Sequence, residues 1–160
     1  MDVQFTKINN RRYLGNKYKL LPFITGVIKE NCFDFDVFTD IFAGTGAVSS
    51  AFTNKQLNTN DILFSNYISN TAWFSPEDYD TSKLVKLICD YNSLEEYDEN
   101  YMTQYFSDTY FSRQVCSKIG HIRQDIENRK NVNDINNREY AILITSLLYA
   151  MDRIANTCGH

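Results

Sequence analysis

The stretch Asp36-Val37-Phe38-Thr39-Asp40-Ile41-Phe42-Ala43-Gly44-Thr45-Gly46 runs from β-forming residues straight into a pair of glycines. Such a run predicts a short strand that enters a tight turn, because glycine supplies the positive φ angles that a sharp change of direction needs. Ala47, Val48, Ala51 and Phe52 then fit a short helix, and Gln56 to Ile62 a second, weaker strand ending at Asn60-Asp61. The resulting order is strand, glycine turn, helix, strand, acidic residue.

That order gives the turn a chemistry. Gly44 and Gly46 permit close backbone approach to a ligand, and the N–H groups at the following helix start face an electronegative group. Ser49 stands where a dinucleotide fingerprint has its third glycine, and no Gly-Lys-Ser/Thr follows, which argues against a phosphate-cradling loop. Asp40 at the strand end would repel a pyrophosphate but suits a ligand with a positive amino group. Asp61, about twenty residues on, stands where an acid after the second strand hydrogen-bonds a ribose. A nucleoside with a cationic tail, S-adenosylmethionine, satisfies both acids. Taken alone, the Gly-x-Gly pattern fits an unspecific tight turn equally well.

Upstream, Leu20, Leu21, Phe23, Ile24, Val27 and Ile28 recur at helical spacing, with Pro22 placed for the first turn, where its missing N–H costs little. Just before this helix stands Arg11-Arg12-Tyr13-Leu14-Gly15-Asn16-Lys17-Tyr18-Lys19. A further helix is expected over 64–74, and Ser75-Pro76-Glu77-Asp78 reads as a break. Beyond it the chain turns helical, over 81–91, 108–129 and 136–156, with apolar stripes that read as core. Asn136 with Glu139 three residues on predicts a capped helix start. Only two strands stand against five or six helices, so the sheet keeps an unpaired edge and an uncovered apolar face unless the helical remainder covers them or further strands join it.

The chain of 160 residues, 43% hydrophobic and 22% charged, suits one globular domain with a real core. Its net charge of −4 argues against a nucleic-acid clamp along its whole length, so any contact with phosphate must be local. The richness in Asn, Tyr, Phe, Ile and Lys fits an AT-rich coding bias as well as a base-stacking surface. Cys32, Cys89, Cys116 and Cys158 are scattered without a C-x-x-C pair, which argues for reduced thiols packed as small hydrophobes and against a zinc site. The N-terminus lacks a signal-peptide core, and no stretch reaches the roughly 18 apolar residues of a membrane span. A soluble cytoplasmic protein is the expectation.

Three motifs, Tyr13-Leu-Gly15-Asn-Lys17, Asp40-Ile-Phe42-Ala-Gly44-Thr-Gly46 and Asn60-Asp61-Ile62, occur in the order and spacing of the Dam-like, D12-class adenine-N6 DNA methyltransferases, which this chain resembles. The resemblance extends weakly through Asn66-Tyr67, Tyr105 to Asp108 and Asp152 to Gly159, segments that look like the type II restriction-modification subset. It implies an α/β fold, an incomplete Rossmann-like S-adenosylmethionine-dependent methyltransferase with a large helical portion. On it, residues 1–160 form a single domain, with a cofactor-binding part over 1–75 and a helical part over 76–160.

The resemblance also carries roles residue by residue. Asp61 would hold the ribose hydroxyls, Asp40 the methionine ammonium, and Ile62 would pack on the cofactor adenine. Tyr13 and Lys17 would close the methionine end, with Gly15, Phe42, Gly44 and Gly46 completing the cofactor pocket. The complete enzyme would flip an adenine from double-stranded DNA and methylate its N6 directly, with no metal.

One family element is missing. Catalysis in the family uses an Asp/Asn-Pro-Pro-Tyr/Phe segment, whose carboxyl or amide oxygen and proline carbonyl accept the amine protons of adenine. Here the two prolines, Pro22 and Pro76, are not adjacent, so no catalytic residue is assigned. A truncated gene product, one half of a split enzyme paired with a second chain, and a cofactor-binding remnant all fit. A non-catalytic regulatory module paired with another chain and, more distantly, an NAD-type oxidoreductase domain are the rivals.

Overall fold

A computed structural model describes residues 17–32, 34–95 and 98–155. The expectations placed on Tyr13 and Gly15 lie outside the described residues. The chain divides between Ser75 and Pro76 into two compact units. It is a mixed α/β structure, mostly helical, with one small parallel sheet among the described residues.

In the first unit a 3-10 turn over Tyr18–Leu20 leads into α1, Leu21–Asn31. Pro22 occupies the first turn of α1, as its spacing predicts, and Thr25 is buried, donating its hydroxyl to Leu21 O at 2.8 Å. The strands β1, Val37–Asp40, and β2, Gln56–Thr59, pair in parallel with Val37 opposite Gln56 and Asp40 opposite Thr59. Between them the expected short helix forms as a 3-10 helix, Ser49–Phe52. The Ser50 hydroxyl suits the tighter winding, since it takes up a backbone carbonyl of the α-helical ladder. Ser50 Oγ donates to Ala47 O at 2.6 Å and Ser49 Oγ to the Asp40 carboxylate at 3.1 Å.

Leu21, Val48, Ala51 and Phe52 form the buried core of this unit, and Tyr18, Ile24, Ile28, Phe35, Phe38 and Leu57 close around it. Phe38 from β1 stacks on Phe52 with ring centroids 4.2 Å apart. This contact seats the segment after the glycine turn against the strand, fixing the turn from below. Helix α2, Phe64–Phe74, follows β2 and completes the unit.

The second unit is helical, with α3 over Thr81–Ser93, α4 over Tyr101–Phe106, α5 over Arg113–Asn131 and α6 over Asn137–Ile154. The predicted capping box holds: Asn136 Oδ1 accepts from Glu139 N at 2.8 Å, and Glu139 Oε2 accepts from Asn136 N at 3.0 Å. Helix α5 begins later than its periodicity suggests. The chain first turns at Asp108, with φ of 62°, and bridges Ser107 to Phe111 before Ser112 caps the helix. The short α4 is not foreshadowed by periodicity, because Asn100 nucleates it through bonds from Met102 N and Thr103 N.

Phe111, Cys116 and Ile119 form one buried cluster in this unit. The reading of cysteines as packed hydrophobes holds for Cys116, which is fully buried, but not for Cys32 and Cys89, which are exposed free thiols. No described helix is long and apolar enough to cross a membrane.

Candidate functional site

At the end of β1 the backbone turns through Ile41 and Phe42 and is tied to β2 by the bond from Ala43 N to Asn60 O, 3.0 Å. Gly44 and Gly46 take φ of 54° and 79°, the left-handed region that side chains with a Cβ rarely occupy. The two glycines then do different jobs. A Cβ on Gly44 would meet nothing within 4 Å, so its Cα faces open space that a ligand can approach. Gly46 is buried against α2, where a Cβ would meet Asn70 Oδ1 at 2.4 Å and Phe74 Cε2 at 2.8 Å. Gly46 therefore serves the packing of the turn.

Asp61, just past β2, closes on this turn. Its Oδ2 accepts from Gly44 N at 2.8 Å, and its Oδ1 accepts from Leu63 N at 2.9 Å and from Asn66 Nδ2 at 3.1 Å. Burial pushes the Asp61 carboxyl up, but these three donors and the nearby Lys17 ammonium outweigh it and hold it below the usual aspartate range. A fixed anion thus faces the glycine turn at neutral pH. Lys17 Nζ donates to Phe42 O at 3.3 Å on the other side.

Lys17, Phe42, Gly44 and Asp61, four of the residues singled out in the sequence, line one cavity of about 200 Å³ together with Ala43, Thr45, Ala47 and Val48. Asp40, Gly46 and Ile62 are not part of its lining. The Asp40 carboxylate is engaged with Ser49, whose side chain is fully buried. Ile62 is 98% exposed and Phe42 78% exposed, which leaves two apolar side chains free for a flat ring at this end of the sheet.

Two residues that motif reasoning gave no role brace the site. Asn66 and Asn70, only 1% and 2% exposed, lie one helical turn apart on α2. Asn70 Nδ2 donates to Gly44 O at 3.1 Å and to Asn66 O at 2.9 Å. The available signal is a pair of asparagines at i and i+4, one above the other on a helix whose other side buries Ile68 and Ala72.

A wider cleft of about 1100 Å³ lies in the second unit, floored by Ile144, Leu147, Leu148 and Met151 and rimmed by Asp98, Glu99 and Glu127. Volume alone would favour it. His121 and Arg123 line it as well, and it holds none of Lys17, Phe42, Gly44 and Asp61, which share the smaller cavity.

Residues 13–159 match the family model described as D12 class N6 adenine-specific DNA methyltransferase. The modification methylase StsI of Streptococcus sanguinis is 35% identical over 92% of this chain and 25% of its own length. The modification methylase LlaI of Lactococcus lactis subsp. lactis is 32% identical over 92% of this chain and 26% of its own length. The type II methyltransferase M.NlaIII of Neisseria lactamica is 30% identical over 92% of this chain and 47% of its own length. The chain therefore spans about a quarter of the first two relatives and about half of the third. No solved structure matches this chain.

Proposed function

Because the chain belongs to the D12 class of N6 adenine-specific DNA methyltransferases, we propose that the cavity at Gly44 binds the nucleoside part of S-adenosylmethionine, within a Rossmann-like methyltransferase fold. One observation carries this reading: Lys17, the Gly44 turn and the Asp61 carboxylate, from three separated stretches, share one cavity.

The residues fit the cofactor in kind. Asp61 offers a charged acceptor to the ribose, and Phe42 and Ile62 offer apolar surface to the adenine ring. Lys17 supplies a cation for the methionine carboxylate, and Asp40 an anion at the strand end for its ammonium, with Tyr13 and Gly15 completing that end. A cavity of about 200 Å³ is smaller than the ~300–1,000 Å³ of an ordinary ligand pocket, which matches the ribose portion with the ring and the amino acid lying outside it. When bound, the cofactor supplies an electrophilic methyl group; the residues here bind and orient it.

The complete enzyme would act in restriction-modification, on double-stranded DNA in the cytoplasm, methylating adenine N6. This chain contains only Pro22 and Pro76, so it lacks the Pro-Pro-aromatic segment that accepts the amine protons of a flipped adenine. It is the cofactor-binding portion and inactive alone. The same lack of adjacent prolines favours a second reading, a non-catalytic cofactor-binding module that pairs with a second chain carrying the segment.

Calorimetry tests the cofactor claim. The folded chain should bind S-adenosylmethionine and not NAD, and Asp61→Ala should weaken binding by about ten- to a hundredfold, the worth of hydrogen bonds to a charged group. Binding of NAD alone, or an unchanged affinity in Asp61→Ala, overturns the assignment. Inactivity is checked with labelled cofactor and adenine-containing duplex DNA. No label should reach the DNA, and robust transfer would show that the catalytic groups lie within these residues after all.

A further inference from the structure

The Asp61 carboxylate is already largely occupied. Two carboxylate oxygens offer about four lone-pair positions. Oδ1 spends both of its own on Leu63 N at 2.9 Å and Asn66 Nδ2 at 3.1 Å. Oδ2 spends one on Gly44 N at 2.8 Å, which leaves a single acceptor position, on the oxygen bonded to the glycine turn. The carboxylate cannot rotate to present Oδ1 without breaking the Asn66 bond.

Asn66 in turn has little freedom. It is 1% exposed, and its backbone carbonyl accepts from Asn70 Nδ2, the same amide that bonds Gly44 O. Helix α2 therefore holds Gly44 from both sides, its carbonyl through Asn70 directly and its N–H through Asn66 and Asp61.

We infer that Asn66 is a positioning residue that saturates Asp61 Oδ1, so that Asp61 reads only one of the two ribose hydroxyls of a bound nucleoside. This rests on the cofactor reading above and goes beyond it. Had Asp61 both oxygens free, the cis diol would be gripped by both, and either hydroxyl would be missed equally on removal. With one position left, the two hydroxyls become unequal.

The test compares S-adenosylmethionine with its 2′-deoxy and 3′-deoxy analogues by calorimetry on the intact chain. Loss of the hydroxyl that Asp61 reads should weaken binding by about ten- to a hundredfold, and loss of the other by less than about threefold. In Asn66→Ala one acceptor position opens on Oδ1 beside the one on Oδ2, with Leu63 N and Gly44 N still in place, so both hydroxyls can be read and the two analogues should bind within about threefold of each other. Since a cavity at a buried site risks unfolding, the isosteric Asn66→Asp is the second variant, with thermal melting followed in parallel. Near neutral pH its two facing carboxylates repel, so the parent cofactor should bind weakly. As pH falls and the pair shares one proton, the donor to Oδ1 is restored and both affinity and asymmetry should return.

A purely structural asparagine would not tie the ratio of the two analogues to pH. Equal analogue affinities in the unaltered chain, with the parent bound, overturn the inference and leave the cofactor reading standing. So does an asymmetry that survives both substitutions at neutral pH. Failure of the folded, unaltered chain to bind the parent cofactor overturns the cofactor reading and the inference with it.

Discussion

Gly46→Ala destabilises the first unit by about 2–4 kcal/mol, whereas Gly44→Ala, two residues earlier, costs only about 1–2 kcal/mol. Both positions have positive φ, so both substitutions carry the backbone penalty of the left-handed region. Only at Gly46 does packing add to it. There the new methyl would lie 2.4 Å from Asn70 Oδ1 and 2.8 Å from Phe74 Cε2, and Asn70, 2% exposed and bonded to Gly44 O, has nowhere to retreat. Chemical denaturation monitored on both variants checks this difference. Equal losses would mean that α2 does not press on the turn. Since Asn70 carries the turn's carbonyl, Gly46→Ala should also abolish cofactor binding where Gly44→Ala leaves some.

The second large effect lies in the other unit, where Glu139→Ala should cost about 3 kcal/mol, because removing one partner from a buried charged cluster strands the rest. Glu139 is 5% exposed, and its carboxylate serves three donors. Oε1 accepts from Asp80 N at 3.0 Å, and Oε2 accepts from Asn136 N at 3.0 Å and Lys83 Nζ at 3.3 Å. One side chain thus caps α6 and ties the loop before α3 to it. Asn136 Nδ2, donating to Asp78 O at 2.7 Å, reinforces the tie.

The same node sets a pH dependence. Burial pushes the Glu139 carboxyl up, but the two amides and the Lys83 ammonium outweigh it, so it titrates below its ordinary value of 4.5. A lowered folded-state pKa means that this contribution is fully present above 4.5 and is lost as pH falls through the lower folded value. Glu139→Gln keeps the shape and removes the titration, so acid unfolding of that variant should be less steep. Asp125, also held low by Tyr91 and Arg129 against the cost of its burial, retains its own share. An unchanged acid slope in Glu139→Gln would show that the node does not carry it.

Much of this architecture is written locally. The β-forming run ending at Asp40, the placement of Pro22 and the Asn136–Glu139 pair each act within a few residues, so spacing alone locates β1, the start of α1 and the start of α6. Helix α2 was legible in the same way from Phe64, Tyr67, Ile68 and Ala72. What periodicity missed depends on polar side chains that act at a distance or compete with the backbone. The short helix after the glycine turn winds as 3-10, with Ser50 Oγ taking up Ala47 O, and α4 starts where Asn100 caps it.

The site divides along the same line. Lys17, Phe42, Gly44 and Asp61 could be named from motifs and do share a cavity. Asn66 and Asn70 could not be given a role, since nothing in a lone asparagine tells whether its amide faces water or a carboxylate.

The two short strands have a further consequence. Gln56 and Asn60 donate toward β1, and the alternation of a strand sends the amides of Leu57 and Thr59 the opposite way. Among the described residues, four-residue strands put only about two such groups on each unpaired side, too short a row to seed stacking of one molecule upon another. Brevity here acts as a safeguard against fibril growth along the ladder.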